Sequence, residues 1–136
     1  MTLLLNEDQR ELQRSLRAMF EKQSDSKRVR AVQEAAAGFD AETWAALVKL
    51  GATTTLIPEE FDGLGLGLTE ASIVLEEAGR VIAPVPVYTT LLASAAIRAT
   101  GDAALQAELL PRIAAGETIV ALAFTEAADA WIPVQP

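Results

Sequence analysis

The sequence predicts an all-α fold, an orthogonal or up-down bundle of about five or six helices with one C-terminal β-strand, and three observations carry that prediction. Apolar residues recur at helical spacing in stretches that open on asparagine, aspartate or threonine and close on glycine. One such stretch, residues 87–100, is apolar on most sides, which places it in the middle of a bundle. Residues 118–124 have the β-branched and aromatic content of a strand and carry no charge.

The elements follow in order. Residues 6–22 form the first helix, with Asn6 as cap, Glu7 and Asp8 in the first turn where the helix dipole favours negative charge, and Leu12, Leu16, Met19 and Phe20 on one face. Residues 24–26 interrupt the pattern, and 27–37 form a short second helix ended by Gly38. Asp40 caps a third, whose buried stripe is Trp44, Leu47, Val48 and Leu50, with Trp44 a core residue. Gly51 closes it. Residues 53–57 are β-branched and extended, Pro58 forbids helix at Ile57, and Gly63, Gly65 and Gly67 keep the backbone irregular.

Thr69, with Glu70 behind it, caps the next helix, which runs to about Val81 and buries Ile73, Val74 and Ala78. Pro84 and Pro86 then enforce an extended corner before the apolar segment 87–100. Gly101 ends that segment, and Asp102 caps a last helix with Leu105, Leu109 and Ile113 inside and Pro111 kinking it late. Gly116 closes this helix ahead of the strand. A lone strand cannot satisfy its own backbone groups, so segment 118–124 predicts a chain that is incomplete or paired, with self-association through its C-terminal tail.

At 136 residues the chain is one domain by length, enough to bury roughly 70% of its unfolded surface. Eleven basic against nineteen acidic residues give a net charge of −8, which repels a phosphate backbone and argues against nucleic acid. Without cysteine there are no disulfides or thiolate metal sites, and without histidine no triads or imidazole ligands. No apolar run reaches membrane-spanning length and no signal-peptide pattern opens the chain, so the expected location is cytoplasmic. A mean hydropathy of +0.24 and 51% apolar residues are high for this size and point to apolar surface that meets a partner.

Two constellations invite a chemical reading and fail it. The run Asp62-Gly63-Leu64-Gly65-Leu66-Gly67 precedes a helix, as phosphate-cradling loops do, but it is neither a dinucleotide fingerprint nor a Walker loop, and it has no lysine. Its glycines serve the turn. Glu59 with Glu60, and Glu76 with Glu77, are adjacent in sequence and point apart, so they are expected on solvated surface rather than paired as acid and base.

The order of motifs from Leu50 to Arg80 is leucine-glycine, an apolar step, I-P-E-E-F-D-G-L-G-L, threonine-glutamate, and a helix carrying E-E-A-G-R. It is joined downstream by DAALQAELLPRIAAG and then ETIVALAFTE. In this order and separation the chain resembles the N-terminal region of acyl-CoA dehydrogenases, flavoenzymes that introduce a double bond into acyl-CoA thioesters. The resemblance runs from Leu5 to about Glu126 and spans the first third or so of a complete member. It implies a helical domain over 1–117, with 118–136 holding the first strand and the start of a middle β-domain.

The resemblance also implies roles. FAD lies against the strand edge matching Leu122, Phe124 and Thr125, where backbone groups and the threonine hydroxyl meet the flavin ring. Tyr88 and Leu91, on the helix after the proline corner, are implied to wall the acyl pocket. The implied partners are an acyl-CoA substrate, further subunits in a homo- or hetero-oligomer, and an electron-transfer flavoprotein. Family members commonly continue T-E-P-x-x-G-S-D. Here Ala127, Ala128, Asp129, Ala130 and Trp131 follow Glu126, with Trp131 in the serine's place, so pyrophosphate contacts do not carry over. No catalytic base can be assigned on this chain. A rival reading is a non-catalytic helical module that self-associates or binds a larger dehydrogenase subunit.

Overall fold

The computed structural model describes residues 4–35 and 38–123. Six α-helices run α1 (Glu7–Gln23), α2 (Ser26–Glu34), α3 (Ala41–Lys49), α4 (Leu68–Arg80), α5 (Val87–Thr100) and α6 (Ala103–Ala114). Caps start them where short polar side chains can reach orphan amides. The Asn6 carboxamide oxygen accepts from Gln9 N–H, and the Gln9 side-chain oxygen accepts from Asn6 N–H in return. Asp25, Asp40 and Asp102 cap α2, α3 and α6 in the same manner. At α4 the expected threonine cap gives way: the N-cap is Gly67, whose N–H donates to Glu70 Oε2 at 3.0 Å.

Two apolar clusters hold the bundle. The larger joins Leu16 and Phe20 of α1 to Trp44 and Leu47 of α3, to Ile73 and Val74 of α4, and to Val87 and Leu91 of α5. The smaller packs Ile97 of α5 against Leu110 and Ile113 of α6, with Ile57 beneath. Burying each of these side chains contributes about 1.5–3 kcal/mol relative to exposure, so the larger cluster ties α1, α3, α4 and α5 together and the smaller one fixes α6 to α5. Trp44 is core, as expected, and meets Phe39 edge to face at 6.4 Å.

Two expectations are corrected. Residues 53–57 are not extended: a 3₁₀ turn at Ala52–Thr54 is followed by further turns, and the Thr54 and Thr55 hydroxyls bond back to the carbonyls of Gly51 and Ala52. Hydroxyls that bond locally compete with strand formation, and this outweighs β-propensity. The strand predicted over 118–124 is also absent from the part of it that is described, residues 118–123, and Phe124 lies outside the described residues. A strand is defined by its neighbour, and no second β-segment is available among the described residues. Instead Thr118 N–H bonds Arg112 carbonyl, and Val120 packs on the Ile57–Leu110 cluster. Pro111 lies inside α6, which continues through Ala114.

Candidate functional site

The seam between α4 and α5 is where the bundle stays open. Hydroxyls of Thr89 and Thr90 donate to the Pro86 carbonyl and that of Ser94 to the Thr90 carbonyl, so these three hydroxyls are satisfied by nearby backbone and leave the apolar side chains of α5 free to pack. Leu91 is 2% exposed and turns into the core, whereas Tyr88, one turn earlier, is 60% exposed. Both line an apolar hollow of about 160 Å³ together with Leu68, Ala71, Ser72, Leu75 and Ala95. Helix α5 thus packs on α6, α4 and the Ala52–Thr54 turn, and its Tyr88, Leu92 and Ala95 face is only partly covered.

A second hollow of about 380 Å³ continues along the C-terminal half of α4, lined by Ala78, Gly79, Ile82 and Val85, and it shares Leu75 and Tyr88 with the first. The first hollow's aliphatic hydroxyl, from Ser72, is already given to Leu68 carbonyl at 2.7 Å. Neither hollow is lined by an ionisable group other than the Tyr88 phenol. Such a trough can hold an apolar group and exclude water, and it carries no acid, base or nucleophile of its own.

The glycine loop is the opposite. Gly63 N–H bonds Pro58 carbonyl, Leu64 bonds Thr54, Gly65 bonds Ile57, Leu66 bonds Thr55, and Gly67 bonds Glu70. With every amide from 63 to 67 engaged inside the chain, none is left for a phosphate. The geometry explains the glycines instead: a Cβ on Gly63 would lie 2.0 Å from the Ile57 carbonyl oxygen, and Gly65 has φ +60°.

The acidic pairs divide. Glu59, Glu60 and Glu76 are exposed, as expected. Glu77 is not: its carboxylate is wholly buried, taking two bonds from Arg17 at 2.6 and 3.1 Å and one from Arg80 at 3.1 Å. The Arg17 guanidinium, helped by Arg80, holds the Glu77 carboxyl below its ordinary range against the opposing effect of burial. The signal was present in the spacing, since Glu77 lies four residues after Ile73 and three after Val74, on the buried stripe of α4. Asp40 makes a second such centre. Arg28 at 2.6 and 2.8 Å, with the Thr43 N–H and hydroxyl, keeps its carboxyl far below the usual carboxylate range. Both centres are structural, locking α1 to α4 and α2 to α3.

Of the residues implied for the flavin, Leu122 is 42% exposed and makes no backbone hydrogen bond among the described residues. Phe124 and Thr125 lie outside the described residues.

Residues 6–117 match the family described as acyl-CoA dehydrogenase, N-terminal domain. The chain belongs to the acyl-CoA dehydrogenase family. It is 35% identical over 121 residues to acyl-CoA dehydrogenase IpdE2 of Mycolicibacterium smegmatis, covering 88% of this chain and 38% of that protein. Against IpdE2 of Mycobacterium tuberculosis it is 34% identical over 117 residues, 85% of this chain and 36% of the relative. This acyl-CoA dehydrogenase domain thus spans little more than a third of the curated relatives it matches. Among solved structures, a protein named as the Tcur3481-Tcur3483 steroid ACAD superposes with TM-score 0.82 and 36% identity over 90% of this chain and 34% of that one. The ChsE4-ChsE5 complex from Mycobacterium tuberculosis shares the fold at TM-score 0.83 and 23% identity, over 96% of this chain and 36% of that one.

Proposed function

We propose that this chain supplies the N-terminal helical domain of a dehydrogenase that oxidises the α,β-bond of an acyl-CoA thioester, and that its α4–α5 trough holds the acyl group. The observation that carries this reading is the convergence of Tyr88 and Leu91 on one apolar hollow, in a domain whose family membership is shown. Leu91 forms the floor and fixes depth. Tyr88, exposed, stands at the rim, and its ring is large enough to cover an apolar guest. The closest chemical class for the guest is a steroid-derived acyl group, which the solved relative named as a steroid ACAD supports at 36% identity.

FAD is the cofactor general to this family, and when bound it supplies the acceptor for the hydride leaving the β-carbon. The glycine loop does not fit its phosphates, because its amides are spent. Leu122, exposed and making no backbone hydrogen bond among the described residues, fits a contact with the flavin, and Phe124 and Thr125 join it in this proposal. Residues 118–136 then begin the middle domain. The remaining parts of the reading are further subunits in an oligomer, an electron-transfer flavoprotein as electron acceptor, and a cytoplasmic location, with no described helix long and apolar enough to cross a membrane.

The test is to isolate the native protein from its host through an N-terminal tag and follow dye reduction by a steroid-side-chain acyl-CoA, with the enoyl product read by mass. A yellow assembly that forms the enoyl thioester supports the reading. A colourless protein that turns over no acyl-CoA contradicts it and favours the non-catalytic helical module.

A further inference from the structure

Backbone chemistry at the end of α4 is the reverse of what the chain alone would select. Ile82 N–H bonds Gly79 carbonyl and Ala83 N–H bonds Ala78 carbonyl, a Schellman closure in which Ile82 takes the left-handed position with φ +52°. That position ordinarily belongs to glycine, and a β-branched residue there is strained. Ile82 nonetheless gains no core burial, being 76% exposed. Three residues earlier the glycine is equally misplaced. Gly79 does not have a positive φ, and a Cβ built on it would meet nothing within 4 Å. Alanine would suit that backbone better.

The two misplacements share one location, the 380 Å³ hollow that both residues line. Among the described residues, neither conformation nor packing accounts for them. A strained residue that its own fold does not require is where a ligand clamp is sought. The hollow joins the Tyr88–Leu91 hollow through Leu75 and Tyr88. The 160 Å³ hollow falls below the range of about 300–1,000 Å³ typical of ligand sites, whereas the 380 Å³ hollow beside it lies within that range.

We infer that the end of α4 is a distal subsite that selects bulky, ring-bearing acyl groups, with Gly79 leaving the width open and Ile82 held as its far wall. This rests on the proposed acyl-CoA reading and sharpens it: Gly79 and Ile82 are specificity-determining residues rather than catalytic ones.

The experiment measures affinity of the native protein by calorimetry for two acyl-CoA thioesters of equal carbon number, one ring-bearing and one unbranched. Gly79→Leu, which fills the hollow, is expected to weaken the ring-bearing thioester at least tenfold and the unbranched one less than about threefold, since one methylene group in an apolar pocket changes discrimination by about 10–200-fold. Ile82→Gly is expected to raise the melting temperature while weakening the ring-bearing thioester, a combination that a merely structural role would not give. An unchanged ratio of affinities in both variants overturns the subsite and leaves the acyl-CoA reading standing. If Gly79→Leu disperses an oligomer while the ratio holds, the hollow is a subunit contact and the inference is overturned. Wild-type protein that binds neither thioester removes the functional reading beneath it.

Discussion

Residues 58–67 and the end of α4 both turn the chain sharply, and both contain a glycine that matters, yet they are built on opposite terms. In the loop the chain answers to itself. Gly63 stands where the Ile57 carbonyl leaves no room for a side chain, and the amides around it are all spoken for. At the end of α4, Gly79 stands where room is plentiful and Ile82 where a glycine belongs. A residue that satisfies its own fold identifies structure. One that works against it, at the edge of an apolar trough, identifies a surface shaped for something else.

The largest effect that sharpens this contrast is at Gly63. Gly63→Ala must displace backbone, and overpacking against a carbonyl that cannot retreat is expected to cost about 3 kcal/mol or more, read as a melting temperature lower by roughly 10 °C. A normal melt would show that the loop is looser than its hydrogen bonds imply. Next comes Glu77. Glu77→Ala strands two arginines at a buried centre, but they are 45% and 41% exposed and can hydrate, so the expected loss is about 2 kcal/mol rather than the roughly 3–5 kcal/mol of a fully buried pair. Glu76→Ala should stay within about 0.5 kcal/mol by denaturant titration. Equal effects would place Glu77 in water.

Acid should expose the same centres. Both Glu77 and Asp40 have carboxyls held below their unfolded range, so the stability they contribute is present above about pH 4–5 and is lost as pH falls through the lowered folded values. Unfolding free energy is expected to be flat from pH 7 to 6 and to fall steadily below 5, with a shallower fall in the Asp40→Asn and Glu77→Gln double variant. A slope that the double variant leaves unchanged would move the titrating groups elsewhere. The smallest effects have the opposite sign: Ile82→Gly should stabilise by about 1 kcal/mol and Gly79→Ala by about 0.5 kcal/mol. Destabilisation at either would mean that the fold itself requires these residues.

The sequence reading was strongest where one residue suffices to set local structure. Asn6, Asp40 and Asp102 cap as expected because a short polar side chain before an apolar stripe has few other uses, and α5 matches its predicted bounds because two prolines and a glycine fence it. It failed where the answer depends on what lies opposite. Segment 53–57 has the composition of a strand, yet its threonines bond their own backbone. Segment 118–123 lacks a neighbour among the described residues. Adjacent glutamates point apart, which predicts solvent for both Glu76 and Glu77, yet pointing apart is what turns Glu77 inward toward Arg17.

The candidate site was legible only in part. Tyr88 and Leu91 reached the trough through family resemblance, with Leu91 also marked by its place on an apolar helix. Gly79 is visible in the sequence as a glycine inside a helix, but the empty space beside it and the positive φ of Ile82 are not.

One structure determination tests the central claim most directly: the native protein bound to an unreactive thioether analogue of a ring-bearing acyl-CoA. The acyl carbons are expected to lie along the α4–α5 seam, within about 4 Å of Leu91, the Tyr88 ring and the Gly79 backbone. An acyl group bound elsewhere, with the seam filled by side chains of a neighbouring subunit, would contradict it.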